Sequence, residues 1–182
     1  VTTLVAVAVV WRYLYHPKFG LINYFLSKIN LGPIDFLGDP QYALWAIIIL
    51  TIWKNFGFYM IIFLAGLQNI PESLYEAAKI DGAGKLRQIY SITIPRLAPT
   101  TFFVVILTLI SYFQVFAEPY IMTEGGPLNS TLSIVLYMYQ QGFKWWKMGY
   151  SASIAFVFFI CILLFSIINF MIRKKNNHGN KI

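Results

Sequence analysis

Residues Tyr42 to Gly66 read YALWAIIILTIWKNFGFYMIIFLAG, twenty-five residues interrupted by a single charge, Lys54. A hydrocarbon core needs about 20 predominantly apolar residues to be crossed by a helix, so this run is long enough to span. Two more runs qualify, at about 97–117 and about 150–172. A fourth, from Val1 to about Leu14, is apolar but too short, and the reading expects the chain to begin inside a span. The composition agrees. The chain has 182 residues, 58% hydrophobic and 12% charged, with a mean hydropathy of +0.64. Soluble domains carry roughly 25% charged residues. In lipid each backbone polar group must be satisfied within its own segment or within a closed barrel, and runs this long point to helices. The fold class expected is all-α, a polytopic transmembrane bundle.

Three polar connections separate the runs. Residues 15–41 hold Pro17, Gly20, Asn23, Gly32, Pro33, Asp35, Asp39 and Pro40, the chemistry of a loop, with a short helix expected around 21–29. Residues 67–96 hold Lys79, Lys85, Arg87 and Arg96, and the tail at 173–182 holds Arg173, Lys174, Lys175 and Lys181. These two segments lie on one side and carry eight of the fourteen Lys and Arg residues, so that side is read as cytoplasmic. Residues 118–149 open with turn residues and end in Phe143-Lys-Trp-Trp-Lys147, an aromatic patch of the kind found at membrane interfaces. The domain reading is therefore a transmembrane domain over 1–172 and a basic tail over 173–182.

The connection at 67–96 contains Glu76-Ala77-Ala78, three residues, Gly82, nine residues, then Ile92-Thr93-Ile94-Pro95. Pro71 can open a helix. Small Ala77 and Ala78 permit close approach of another backbone, and Gly82 can take the positive φ of a turn. A second short helix is expected over 85–91, with Pro95 and Pro99 marking the start of the next span. The spacing resembles the EAA signature of permease subunits in bacterial binding-protein-dependent ABC importers. Ile94 stands where that family usually has leucine, a volume-conserving exchange. Phe113-Gln-Val-Phe116, Pro119 to Pro127 and Asn129-Ser-Thr131 resemble the carbohydrate and glycerol-phosphate branch, on the side of the maltose and lactose permease relatives.

The resemblance implies a type I-like importer fold with the last four of about six spans present. It also implies that Glu76, Ala77, Ala78, Asp81, Gly82, Ile92, Ile94 and Pro95 form a loop docking an ATP-binding subunit, with Glu76 facing a basic residue there. The partners implied are that ATPase, which holds ATP and Mg, a second permease subunit, an extracytoplasmic solute-binding protein and the lipid of a bacterial cytoplasmic membrane. No cofactor is expected in this chain. Gly82-Ala-Gly-Lys85 is not a phosphate loop, because Lys79 stands where its first glycine belongs and Leu86 where Ser or Thr must follow. No catalytic constellation and no metal site is read from His16, His178 or the single Cys161. Glu118 and Glu124 are read as solvated loop charges, and Lys144 and Lys147 as interface anchors rather than nucleic-acid contacts. An ion-coupled secondary transporter is the alternative function, but the apolar runs lack the acidic residues such coupling uses. An intramembrane enzyme lacks its residue pairs.

A candidate solute path follows from helical spacing. Thr51, Lys54, Asn55 and Phe58 fall at i, i+3, i+4 and i+7, as do Thr108, Ser111, Tyr112 and Val115. Hydroxyls and the amide can bond a polyol, and Phe58 and Tyr112 offer flat faces to sugar C–H groups. The same polar groups can equally bond neighbouring helices. Lys54 can serve an anionic solute, a neutral sugar or a helix carbonyl.

Overall fold

Asp39 and Pro40 fix where the first long helix starts. The Asp39 Oδ1 accepts the Gln41 backbone N–H at 2.8 Å, and proline at the first helical position has no N–H to leave unsatisfied. From there α3 runs Pro40–Gln68. In the computed structural model, which describes residues 3–178 and no side chain at 168 or 170–178, the order is α1 Leu4–Leu14, α2 Leu21–Lys28, α3, α4 Glu72–Ile80 and α5 Lys85–Gln88. Then come a π turn Ile89–Thr93, α6 Ile94–Phe113, α7 Ala117–Met122, α8 Ile134–Tyr139, a second π turn Gln140–Lys144 and α9 Met148–His178. The basic side chains expected in the tail fall outside the described residues.

Among the described residues, three helical stretches are long and apolar enough to cross a membrane: Pro40–Gln68, Lys85–Phe113 and Met148–Ile167. Only 17% of the first and none of the third is buried within the chain, so their apolar faces need lipid or other protein as solvent. The third apolar run differs from its expected bounds. Its helix begins well before residue 97 and ends at Phe113, and Ala117 opens the separate helix α7.

The contacts divide the chain into two compact units, Val1–Ile52 with Ile110–Ile182, and Trp53–Leu109. The first has a core of Val7, Ala8, Tyr15, Ala46, Ile47, Leu50 and Met122. Ala8 and Ala46 are fully buried small residues, which let helix backbones approach closely. The Tyr15 hydroxyl donates to the Ala46 carbonyl at 3.1 Å, and burial pushes its phenol up to about 12. Helix α7 packs along α1, with Arg12 donating to the Ile121 carbonyl at 3.4 Å. Glu118, in the first turn of α7, is only 7% exposed. The reading of Glu118 as a solvated loop charge is therefore corrected: it lies on a helix packed against α1. Glu124 is exposed, as read. Phe113 meets Phe158 and Phe165 edge-on, ring centres 6.5 and 5.9 Å away.

Between α1 and α3 the chain closes on Asn23. Its amide donates to the Ile34 carbonyl at 2.9 Å and the His16 carbonyl at 3.3 Å, and its oxygen accepts the Ile34 N–H at 2.8 Å. One buried side chain thus ties α2 to both ends of the connection, and all three bonds replace water lost on burial.

The orientation has a direct test. Ser91 is exposed at the base of the Lys85–Phe113 helix, and Leu128, beyond its other end, is 89% exposed. The Ser130 hydroxyl, by contrast, is buried without a hydrogen-bond partner, so Leu128 is the better probe. Cysteines at Ser91 and Leu128, in a Cys161→Ser background, should react with an impermeant maleimide from opposite faces of the membrane. Labelling of both in intact cells overturns the orientation.

Candidate functional site: the 67–96 loop and the polar helix faces

Helix α4 is short because its sequence ends it. Asp81 follows Ile80 as the cap, and Gly82 takes φ +74°. The Gly82 N–H then bonds the Lys79 carbonyl at 3.0 Å, and the Ala83 N–H bonds the Ala78 carbonyl at 2.8 Å. This pair of bonds is the Schellman closure of a helix, which favours glycine because other residues resist the left-handed region. The turn then leads into α5 at Lys85, held by Gln88, whose amide donates to the Ala83 carbonyl at 2.8 Å. The Tyr75 and Thr93 hydroxyls share a 2.8 Å hydrogen bond, which pins α4 to the π turn. At the membrane end of this unit Gly66 faces Thr100 and Leu97. A Cβ on Gly66 would stand 2.7 Å from the Thr100 hydroxyl, so α3 and α6 approach closely there.

The short helix expected over 85–91 is present as α5, Lys85–Gln88, but it is not separate from the span whose start Pro95 and Pro99 were expected to mark. Lys85 to Phe113 is one continuous helical stretch with a π turn in it, and Pro99 lies inside α6. A proline ring normally clashes with the carbonyl four residues before it. The wider π turn ends two residues before Pro95 and takes the upstream carbonyls out of the ordinary register.

Glu76, Ala77, Asp81, Gly82, Ile94 and Pro95 are exposed, while Ala78 and Ile92 are half-buried. The loop also exposes residues that the sequence reading passed over. Ile80 is 87% exposed, Leu86 73% and Tyr90 70%. Leu86, Ile89 and Tyr90 stand at i, i+3 and i+4, an apolar stripe on the outside of a basic loop. That spacing is written in the sequence, between the charges of the loop.

The path residues divide between the units. In the first, Thr51 and Tyr112 line one cavity of about 390 Å³ with Leu44, Ile47, Ile48, Ile52 and Val115. Its wall is almost wholly apolar, since the Thr51 hydroxyl is buried and donates to the Ile47 carbonyl at 2.7 Å. Ser111 is exposed. In the second unit the Thr108 hydroxyl likewise donates to the Val104 carbonyl at 2.7 Å. Both threonines therefore keep only acceptor capacity, which weakens their reading as sugar donors. Lys54 and Asn55 are half-buried and Phe58 is 59% exposed. An ammonium at membrane mid-depth costs about 2.5–3.5 kcal/mol by insertion scales.

The family model for "binding-protein-dependent transport system inner membrane component" matches residues 1–178. The chain belongs to this family. The permease component is 41% identical over 91% of its length to the probable ABC transporter permease protein YesP of Bacillus subtilis (strain 168), covering 54% of that relative. It is 38% identical over 82% of its length to the sulfoquinovosyl glycerol transport system permease protein SmoG of Agrobacterium fabrum (49% of that relative). It is 38% identical over 87% of its length to the trehalose/maltose transport system permease protein MalF of Thermococcus litoralis (53% of that relative). The chain spans about half the length of these curated relatives. Its fold matches the crystal structure of a bacterial alginate ABC transporter in complex with alginate pentasaccharide-bound periplasmic protein. The TM-score is 0.84 at 26% identity, over 92% of this chain and 58% of that one. The all-α membrane fold expected from the sequence is thus shown.

Proposed function

We propose that this permease component forms part of the membrane conduit of an ATP-driven importer for a sugar or related polyol, and that the 67–96 loop docks the subunit that hydrolyses ATP. The observation that carries the reading is the loop: a Schellman-closed turn at Gly82 with Glu76, Ile80, Leu86 and Tyr90 exposed around it. A knob with an acidic group and apolar side chains facing outward suits insertion into a partner's groove. A second permease subunit, an extracytoplasmic solute-binding protein and a bacterial cytoplasmic membrane complete the proposed assembly, with ATP and Mg held by the partner. The relatives named for sulfoquinovosyl glycerol and for trehalose/maltose support the solute class. The ion-coupled alternative is disfavoured because the membrane stretches carry no Asp or Glu.

The test is a complete importer in proteoliposomes. ATP hydrolysis stimulated by solute-loaded binding protein should require this subunit. Asn55→Ala and Tyr112→Ala should each change the solute dependence of uptake while basal hydrolysis stays intact. Uptake driven by an ion gradient with no ATPase bound overturns the reading.

A further inference from the structure

We infer that Lys54 is a specificity-determining residue that receives an anionic group of the transported solute, a carboxylate, sulfonate or phosphate carried on a polyol or sugar. The inference rests on the conduit reading above and narrows its solute class.

Lys54 lies fourteen residues from Pro40 and fourteen from Gln68, halfway along α3. At 1.5 Å per residue it stands about 21 Å from either helix end. The hydrocarbon core is about 30 Å thick, so a residue at its centre is about 15 Å from either interface. A lysine stem reaches about 6 Å from its Cα by ordinary bond lengths. Snorkelling to a lipid headgroup is therefore out of reach.

The chain itself supplies no counter-charge at this depth. Lys54 is the one charged residue in α3, α6 carries only Arg96 near its start, and α9 carries none before Arg173. Among the described residues no carboxylate stands within 4 Å of the Lys54 ammonium, and no hydrogen bond or ring contact engages it. A cation held at mid-membrane without a partner in its own chain marks a pathway or an ion-pair site. Asn55 beside it and Phe58 one turn on give the same helix face an amide and a flat ring, groups that suit a polyol carrying the anion better than a bare ion.

The experiment uses the assembled transporter in nanodiscs and two size-matched probe pairs, glycerol 3-phosphate with glycerol, and digalacturonate with its methyl diester. Binding is measured by calorimetry. The wild type should bind the anionic member of at least one pair about tenfold to a hundredfold more tightly, the worth of a charge-assisted hydrogen bond. Lys54→Met should abolish that preference, and Lys54→Arg should restore it. Equal binding of both members in the wild type, lost in Asn55→Ala, overturns the inference and leaves the conduit reading standing. Failure of every probe to bind overturns the inference, and if solute-stimulated ATP hydrolysis is absent too, the conduit reading falls with it. If Lys54→Met keeps the anion preference but loses the second permease subunit on purification, Lys54 is an assembly ion pair and the inference is wrong.

Discussion

Gly82→Val reaches the membrane in normal amount and loses most solute-stimulated ATP hydrolysis. The φ of +74° at Gly82 places its backbone in the left-handed region, where a side chain costs roughly 1–2 kcal/mol and a β-branched one more. No other atom lies within 4 Å of a Cβ built there, so the penalty is conformational rather than a collision. It falls on the two bonds that close α4, from Gly82 to Lys79 and from Ala83 to Ala78. A penalty of that size lowers the population of the closed knob by roughly 5- to 30-fold. The membrane helices do not depend on it, which is why insertion survives. Glu76→Lys should match the loss by a different route, because it keeps the turn and reverses the exposed charge. Membrane level is read by immunoblot, and coupling by hydrolysis in the reconstituted importer. Full stimulation in both variants would remove the docking role from this loop.

Gly20→Ala has the largest expected effect on stability. A Cβ on Gly20 would stand well inside van der Waals contact of the Leu14 carbonyl, 2.5 Å from the His16 carbonyl and 2.7 Å from the His16 nitrogen. All three are backbone atoms, so no rotamer change relieves the contact. Overpacking of this kind costs about 1–3 kcal/mol, and here it also strains the connection that Asn23 ties together. For a chain of this size that corresponds to roughly 2–10 °C in the unfolding midpoint. Gly32→Ala is the matched control, since nothing lies within 4 Å of its added carbon. Fluorescence-detected thermal unfolding in detergent separates the two. Equal midpoints would show that the outer turn yields more easily than its backbone contacts imply.

The membrane helices were legible because their signal is local and repeated. Twenty-five apolar residues from Tyr42 decide one helix without reference to any other. Gly82 was legible for a related reason, as a helix end that needs positive φ depends only on its immediate neighbours. Glu118 was not legible, because its burial depends on α7 packing against α1, more than a hundred residues away in the chain. Pro95 and Pro99 were expected to mark where a span starts, yet the helix runs through both, with a five-residue π turn taking the carbonyls upstream of Pro95 out of register. Thr51 and Thr108 were placed on the right helices, but spacing does not reveal that a hydroxyl is already bonded to the carbonyl four residues behind it. The apolar stripe of Leu86, Ile89 and Tyr90 was written in the sequence and outweighed by the charges around it.

The helical run from Lys85 to Phe113 would give a loop that docks as proposed above the mechanics of a lever. A helix of 29 residues is about 43 Å long. Turned about its midpoint by ten degrees, it carries each end about 4 Å in opposite senses. Between the loop and the span stands no coil, only the π turn at Ile89–Thr93, to absorb a push at the base.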